Sequence, residues 1–277
     1  MKRGKLIAAA TLAVVTVALG VDSFEAAAVN VQQTPSFRAR VDLVRVNAVV
    51  RDRKGRFVRD LTEADFEVLD NGQPRKIADF RTEAGGVTVA VLMDVSGSME
   101  GRLGPAREAA QELLGALDRT ADEAGIFMFD TRLEEVTPFG KGVTGLPDKL
   151  TTMRPFGATS LHDAIAQTAD RMAERVGRRA VVVLTDGKDN ASKLTPGEVS
   201  ARASAIDVPV YIVGIVPAID NPTSDAFTQS TSAFSGALSD LATWTGGHAF
   251  VASTSLERTT MMRALLEELR HLSLIHI

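Results

Sequence analysis

The stretch VTVAVLMDVSGS, residues 87–98, is the most informative segment of this 277-residue chain. Its first part, Val87 to Met93, is a continuous, mostly apolar run, which is typical of a strand buried on both faces of a parallel sheet. Its second part, Asp94 to Ser98, is polar and contains a glycine, as expected of a loop that leaves the end of such a strand. The stretch therefore predicts a buried strand that delivers a polar loop to one edge of a sheet.

Similar apolar runs, alternating with segments of helical spacing, occur elsewhere in the chain. Further buried strands are predicted at 126–129, 180–184 and 208–216, with shorter strands at 134–139 and 248–251. Apolar residues at helical spacing predict helices at 105–117, 161–176, 235–244 and 256–269. Alternation of buried strands and helices predicts an α/β fold whose doubly wound, mostly parallel sheet is flanked by helices.

The N-terminal 28 residues have the pattern of a secretory signal peptide. A basic start precedes an uncharged stretch from Leu6 to Leu19, and small residues follow at Ala26 to Ala28. The apolar stretch is shorter than the roughly 20 residues of a spanning helix, although an uncleaved membrane anchor is the alternative. We therefore expect an exported protein, periplasmic or extracellular at the cell surface, with no membrane span in the mature chain.

The remaining segments predict the domain organisation. Residues 29–40 are interpreted as a linker, and residues 41–83 as a small N-terminal β unit with a hairpin turn at Asn71-Gly72 and a returning strand from Lys76 to Phe80. The main domain spans 87–271, with a long surface loop at 218–234 and Trp244 expected in the core. Residues 272–277 resemble translated sequencing-adapter sequence and are interpreted as a non-native tail, the alternative being a genuine terminal strand.

Composition excludes several classes of function. The chain has no cysteine, which excludes disulfides, thiolate-bound zinc, iron–sulfur sites and a thiol nucleophile. Its formal net charge of −4 and its aromatic content of 5% are unlike a nucleic-acid-binding surface, which is basic and often rich in aromatic residues. We therefore expect no nucleic-acid partner.

Polar side chains follow several of the predicted strands. Asp94, Ser96 and Ser98 follow the first buried strand, and Thr159 stands just before a predicted helix. Asp130 and Asp186 follow the strands at 126–129 and 180–184. Ligands of open α/β sheets bind beyond the carboxyl ends of the strands, where these residues are expected to meet. Carboxylates and hydroxyls are hard oxygen ligands, so the set predicts Mg²⁺, or Mn²⁺ or Ca²⁺, as the cofactor.

The residues that carry these oxygen atoms resemble a known motif. Three segments, Asp94-Val95-Ser96-Gly97-Ser98-Met99, Gly157-Ala158-Thr159-Ser160-Leu161 and Leu184-Thr185-Asp186-Gly187, are similar in order and context to the metal-ion-dependent adhesion site of von Willebrand factor A domains. The resemblance covers 87–271, and residues 41–83 resemble the β segment that precedes the domain in an acidobacterial subgroup. Ala158 departs from the family pattern, in which a second glycine is common.

The resemblance implies a role for each residue of the site. Ser96, Ser98 and Thr159 would bind the metal ion through their hydroxyls, and Asp94 and Asp186 would act directly or through water. Asp130 is a candidate for the outer shell of the site. The implied function is a non-enzymatic adhesion module whose bound cation docks an acidic group of a protein partner.

The same residues are compatible with other functions. A serine or metal-assisted hydrolase could use Ser96 or Ser98 with His162, but the G-x-S-x-G motif of α/β-hydrolases is missing and His162 is expected in the first turn of a helix. The phosphate-binding motif G-x-x-x-x-G-K-[ST] is absent. The residues could also serve only as turn and helix-capping groups, or as a metal site that holds no ion in a structural surface protein.

Overall fold

The computed structural model describes the parts of the chain that carry the predicted sheet and the candidate site. The described residues are 45–48, 50, 52, 58, 61–82, 85–217, 236–270 and 273–276, all within one compact unit, Asp42–Ile277. The predicted signal peptide, the linker at 29–40 and the predicted loop at 218–234 lie outside these residues. Among the helices of the described residues, none is long and apolar enough to cross a membrane.

The centre of the fold is a sheet of six strands. In chain order the strands are β5 (Val87–Asp94), β6 (Glu123–Phe129), β7 (Leu133–Lys141), β8 (Arg178–Thr185), β9 (Val210–Ile215) and β10 (Ala249–Ala252), numbered after four N-terminal strands given below. Their order across the sheet is β10-β9-β8-β5-β6-β7, and every neighbouring pair is parallel except β6 and β7. The predicted doubly wound, mostly parallel sheet is confirmed.

Six helices cover the two faces of this sheet. They are α1 (Leu103–Ala116), α2 (Asp148–Thr152), α3 (Leu161–Met172), α4 (Pro196–Ala205), α5 (Gly236–Trp244) and α6 (Ser255–Arg270), counted over the described residues. Apolar residues of α1, α2 and α6 share one buried cluster, and those of α3, α4 and α5 share the other. The sheet is therefore the middle layer of three.

Alternation along β5 explains why its sequence is an unbroken apolar run. Val89, Val91 and Met93 belong to the cluster of α1 and α6, whereas Ala90 and Leu92 belong to the cluster on the opposite face. Successive side chains of a strand point to opposite faces, so a strand covered on both sides needs apolar residues at every position. All eight residues of β5 are buried.

The path of the chain creates a switch point at β5. After β5 the chain adds β6 and β7 on one side, and then crosses over to add β8, β9 and β10 on the other. The loops that follow β5 and β8 therefore leave the same edge of the sheet in opposite directions. A crevice at such a point is the usual location of a ligand site in an open α/β sheet.

The outer strand β7 pairs with β6 irregularly. The register shifts between Ala124 and Ile126 and again between Ile126 and Phe127, so the pair contains a bulge. A Cβ atom at Gly125 would lie 2.7 Å from the ring of Phe139, which shows that the aromatic ring packs against the bulged backbone. Glycine at position 125 therefore leaves room for the Phe139 side chain.

The N-terminal strands form two small sheets. They are β1 (Arg45–Ala48), β2 (Val68–Asp70), β3 (Gln73–Arg75) and β4 (Asp79–Thr82). The strands β2 and β3 form a hairpin whose turn residues Asn71 and Gly72 have φ of 51° and 76°, as a two-residue type I′ turn requires. The position of the turn was predicted correctly. The prediction that the returning strand runs from Lys76 to Phe80 is wrong, because after a two-residue turn the second strand of the hairpin, β3, begins at Gln73.

The strands β1 and β4 belong to a three-stranded sheet whose central strand comes from the C-terminal end of the described residues. The strand β11 (Ser273–His276) lies between them and pairs with both in antiparallel register. These four residues fall in the segment 272–277 that was interpreted as a non-native tail, and that interpretation stays a prediction.

The structure differs from the sequence-based predictions in three further details. The helices α2 and α4 were not predicted, and α3 ends at Met172 rather than at residue 176. Trp244, expected in the core, is 62% exposed. Leu238, Leu241 and Ala242 form the buried stripe of α5, and Trp244 lies off that stripe at the end of the helix.

Candidate metal centre

Asp94 ends strand β5 and is completely buried. Its Oδ1 accepts a hydrogen bond of 3.0 Å from the backbone N–H of Ser96, and its Oδ2 accepts one of 2.7 Å from the hydroxyl of Thr185 at the end of β8. Burial raises the pKa of Asp94 to about 6, although the hydrogen bonds from Ser96 and Thr185 lower the pKa and the charge of Asp186 adds a smaller upward effect. The carboxylate thus joins the loops that leave β5 and β8.

Three hydroxyl groups meet beside this carboxylate. The Oγ1 of Thr159 lies 2.8 Å from the Oγ of Ser96, and the Oγ of Ser98 lies 3.0 Å from Ser96 and 3.5 Å from Thr159. The hydroxyl of Ser98 also donates to Oδ1 of Asp186 over 3.0 Å. Side chains from three separate segments, predicted from the sequence to be neighbours, are therefore in hydrogen-bonding contact.

Two glycines allow the Ser96 loop and the Thr159 loop to approach each other. The backbone N–H of Gly97 donates to the carbonyl of Gly157 over 2.9 Å, and a Cβ atom on Gly97 would lie 3.1 Å from that carbonyl oxygen. Gly157 has φ of +89°, and a Cβ atom there would lie 3.1 Å from Oδ2 of Asp130. Residues with side chains would therefore separate the loops or strain them.

Asn190 holds the Thr159 loop from the other side. Its side-chain oxygen accepts a hydrogen bond of 2.8 Å from the backbone N–H of Thr159, and the carbonyl of Thr159 accepts from the backbone N–H groups of Asn190 and Ala191, each over 3.0 Å. The sequence analysis missed this residue. Its only signal is its position four residues after Asp186, within the same loop.

Asp130 supports the site through its backbone and its turn. Its carbonyl accepts from the backbone N–H of Ser160 over 2.8 Å, and its Oδ1 accepts from the backbone N–H of Arg132 over 3.0 Å. Its side chain lies beside Gly157. It is not part of the cluster formed by the hydroxyls of Ser96, Ser98 and Thr159. A role in the outer shell of a metal ion stays a prediction.

Two basic side chains flank Asp186. Arg102 Nη1 lies 3.7 Å and Lys188 Nζ lies 3.6 Å from Oδ2 of Asp186. The Arg102 guanidinium also donates to the carbonyl of Ser98 over 2.9 Å, whereas the Lys188 side chain is 63% exposed. Neither basic residue was recognised in the sequence, and together they add positive charge at the mouth of the site.

The donor set fits a hard divalent cation. Oδ2 of Asp186 is buried and accepts no hydrogen bond from the described part of the chain, and only the two ion pairs with Arg102 and Lys188 reach it. The other oxygen of the same carboxylate, Oδ1, accepts from Ser98, one of the three clustered hydroxyls. Within the described residues no group of three or more His, Cys, Asp or Glu is placed to hold a metal ion, so the candidate site depends on its hydroxyl oxygens as well as its carboxylates. Two carboxylates with three hydroxyls suit Mg²⁺, Mn²⁺ or Ca²⁺.

His162 lies in the first turn of α3, as predicted. Its Nδ1 lies 3.2 Å from Oδ2 of Asp189, and its backbone N–H donates to the same oxygen over 3.0 Å. The hydrogen bonds of the Ser96 and Ser98 hydroxyls go to each other, to Thr159 and to Asp186. His162 is therefore paired with a carboxylate but is not hydrogen-bonded to a serine nucleophile.

Comparison with known proteins relates this site to a family. Residues 89–188 match the family model described as the von Willebrand factor type A domain, and this segment contains all five predicted metal ligands. A search of curated protein sequences gave no match.

Several solved structures have a similar fold, and three of them come from bacteria of the genera Bacteroides and Streptococcus. An aerotolerance-related membrane protein of Bacteroides fragilis NCTC 9343, in a form with multiple mutations to serines, has a TM-score of 0.53 and 19% identity, covering 66% of this chain and 98% of that chain. BatB of Bacteroides thetaiotaomicron has a TM-score of 0.51 and 18% identity over the same shares of the two chains, 66% and 98%. A mutant of the PilB minor pilin of Streptococcus sanguinis has a TM-score of 0.51 and 12% identity, covering 69% of this chain and 63% of that chain. At these identities the likeness shows the fold.

Proposed function

We propose that this chain is a metal-dependent protein-binding module, because residues 89–188 match the model of the von Willebrand factor type A domain, a kind of domain that generally mediates protein–protein interaction. In this proposal Ser96, Ser98 and Thr159 bind a divalent cation through their hydroxyls, and Asp94 and Asp186 contribute carboxylates directly or through water. The observation that carries the proposal is the meeting of the three hydroxyls within 3.5 Å of one another, next to Asp186.

The chemistry of the donors favours docking of an acidic group. Three of the five ligands would be neutral, so a bound cation would keep much of its positive charge. Mg²⁺ prefers six oxygen ligands and usually retains water, so a position would remain for a carboxylate from outside. Arg102 and Lys188 add positive charge beside Asp186, which also favours an acidic partner.

The geometry favours binding over hydrolysis. A serine hydrolase needs a base in hydrogen-bonding contact with its nucleophile, and here the hydroxyls of Ser96 and Ser98 contact each other, Thr159 and Asp186 rather than His162. We therefore propose that the module is not an enzyme. A serine-reactive probe that labelled Ser96 or Ser98 would support the hydrolase instead.

Calorimetry tests the metal site directly. We expect Mg²⁺ or Mn²⁺ to bind the purified protein, and the substitution Thr159→Ala to weaken that binding at least about tenfold, because it removes one hydroxyl ligand and leaves Ser96 without its 2.8 Å partner. The matched control is Thr243→Ala, which removes an exposed threonine hydroxyl from α5. Equal metal affinity in Thr159→Ala and the unmodified protein would refute the proposed ligand set.

We also propose that the protein is exported. The support is the basic and apolar N-terminal sequence, together with the description of one similar structure as a membrane protein and of another as a minor pilin. Expression in a bacterial host should yield a protein whose N-terminus, read by mass spectrometry, begins after residue 28 or after Gly20. An intact N-terminus on exported material would show that the segment is retained.

A further inference from the structure

Phe156 is one of the large apolar residues whose side chains are exposed among the described residues. Its side chain is 81% exposed. The other phenylalanines whose side chains are described are buried or half-buried, namely Phe66, Phe80, Phe127, Phe129, Phe139 and Phe250. A single exposed apolar side chain is ordinary on a protein surface, so its meaning here depends on what its backbone lies against.

The backbone of Phe156 is fixed next to the candidate metal centre. Its N–H donates to the carbonyl of Val95 over 3.0 Å, and the carbonyl of the following residue, Gly157, accepts from the N–H of Gly97 over 2.9 Å. Val95 and Gly97 alternate with the ligand candidates of the same loop. Phe156 is therefore attached to the Ser96 and Ser98 loop by hydrogen bonds on both sides of its Cα atom.

The chain before Phe156 is held as well. The guanidinium of Arg107 on α1 donates to the carbonyls of Leu150 and Met153, over 2.6 Å and 2.5 Å. Met153 in turn packs against the core under α1 and α6. An aromatic side chain on a fixed backbone loses little entropy when a partner covers it, which is a property of strong contact residues in interfaces.

Charge at the same place indicates the chemistry of the partner. Arg102 and Lys188 lie within 4 Å of Asp186, and both are partly or largely exposed, at 23% and 63%. The backbone of Phe156 is hydrogen-bonded to the loop that carries Ser96 and Ser98, and the carbonyl of Ser98 accepts from Arg102. An acidic group with an apolar group beside it would satisfy all of these features together.

We propose that Phe156 is a specificity-determining contact, and that the partner is a protein segment with an apolar side chain next to the carboxylate that docks on the cation. This inference rests on the proposed function and adds a sequence requirement to it. The apolar side chain covers the Phe156 ring, while the carboxylate meets the cation, Arg102 and Lys188.

Selection from a random linear heptapeptide library displayed on phage tests the inference. The immobilised full chain is screened in Mg²⁺ and in a chelator, and Phe156→Ser and Val176→Ser are screened in parallel. Val176 is a matched control because it is 90% exposed and precedes β8, so it lies at the opposite edge of the sheet from the site.

The selected peptides distinguish the role of Phe156 from the metal-dependent binding of an acidic group. The unmodified protein and Val176→Ser should select, only in Mg²⁺, peptides with Asp or Glu at a fixed offset from an apolar residue. Phe156→Ser should keep the acidic preference and lose the apolar one. Acidic peptides without an apolar preference, or an apolar preference that survives Phe156→Ser, would overturn the role of Phe156. Selection with no metal-dependent acidic preference would overturn the proposed function itself.

A double-mutant cycle on one selected peptide measures the contact. Fluorescence polarisation should show Kd at least about tenfold weaker for Phe156→Ser, and also for a peptide whose apolar residue is replaced by serine. The two changes together should weaken binding little more than either alone, because they remove one shared contact. Fully additive losses would show that the two groups do not meet. The melting temperature of Phe156→Ser should match that of the unmodified protein, since the ring is exposed.

Discussion

At the scale of single residues, Asp94 shows how a buried carboxylate can be kept in a fold. Both of its oxygens accept hydrogen bonds from the protein, one from the Ser96 backbone and one from Thr185. Burial nevertheless raises the pKa of Asp94 to about 6. The protonated form is therefore favoured by folding, and the stability that it contributes is lost as the pH rises through about 6.

A dependence of metal binding on pH follows from this raised pKa. A cation needs the ionised carboxylate, so protons compete with it below about pH 6. We expect the affinity for Mg²⁺ to fall about tenfold between pH 7 and pH 5, since one pKa unit corresponds to a tenfold change in the ionised fraction. Calorimetry at the two pH values measures the change. The variant Asp94→Asn should show a weaker dependence, and an affinity equal at both pH values in the unmodified protein would contradict the prediction.

The sequence identified five candidate ligands, which the structure brings together, but it did not identify the residues that position them; that the five bind a metal ion stays a prediction. Asp94, Ser96 and Ser98 could be recognised because their spacing within one loop is local. Asn190 and Phe156 could not, because their roles depend on hydrogen bonds to Thr159 and Val95, which lie far away in the sequence. Such contacts exist only once the strands have been arranged in the sheet.

At the scale of secondary-structure elements, the loop after β8 positions the loop before α3. Asn190 receives the backbone N–H of Thr159 and donates its own backbone N–H to the carbonyl of Thr159. This reciprocal contact fixes Thr159 at the start of α3, next to Ser96. The loop after β8 therefore carries one candidate metal ligand, Asp186, and also fixes the position of a second one, Thr159.

Substitution of Asn190 tests this coupling between loops. Asn190→Ala should lower the free energy of unfolding by about 1 kcal/mol, because the backbone N–H of Thr159 loses its acceptor. It should also weaken Mg²⁺ binding, since Thr159 becomes less well placed. Asn190→Asp keeps a side-chain oxygen at the same position and should restore most of the stability. Denaturant unfolding and calorimetry measure both effects, and an Asn190→Ala protein identical to the unmodified one would argue against the clamp.

The buried strands and most helices were predictable, whereas short elements were not. A strand such as β5 can be recognised from its apolar run, because a strand that is buried on both faces needs apolar residues whatever the order of the strands in the sheet. The strand β4 was assigned to the hairpin because sequence does not show which partner a short strand will choose. Helix α4 carried a local signal that was overlooked, since Thr195 and Glu198 form a capping box with Pro196 at the first helical position.

At the scale of the whole molecule, the site joins segments that are distant in the chain. Ser96 follows β5, Thr159 precedes α3 and Asp186 follows β8, so a bound cation would connect parts of the sheet that separate on unfolding. The match to the von Willebrand factor type A domain spans the same segments, from 89 to 188. Metal binding should therefore be coupled to global unfolding rather than to one loop.

This coupling predicts a measurable gain in stability. At a free Mg²⁺ concentration 100 times its Kd, the free energy of unfolding should rise by about 2.7 kcal/mol if the unfolded chain binds no metal. Denaturant unfolding with and without a chelator measures the difference. With its affinity weakened at least about tenfold, Thr159→Ala should gain no more than about 1.4 kcal/mol at the same Mg²⁺ concentration, whereas Thr243→Ala should behave like the unmodified protein. A gain that is undiminished in Thr159→Ala would place the stabilising ion elsewhere.

The irregular pairing of β7 has a consequence for how the molecule meets other chains. This outermost strand contains Pro138 and the charged residues Glu134 and Glu135, and it is bent by its bulge against β6. Proline, charge and bulges are the features by which natural sheets prevent another strand from adding to an open edge. The same edge is thereby protected from pairing with neighbouring copies, so concentrated solutions of the protein should resist aggregation through it.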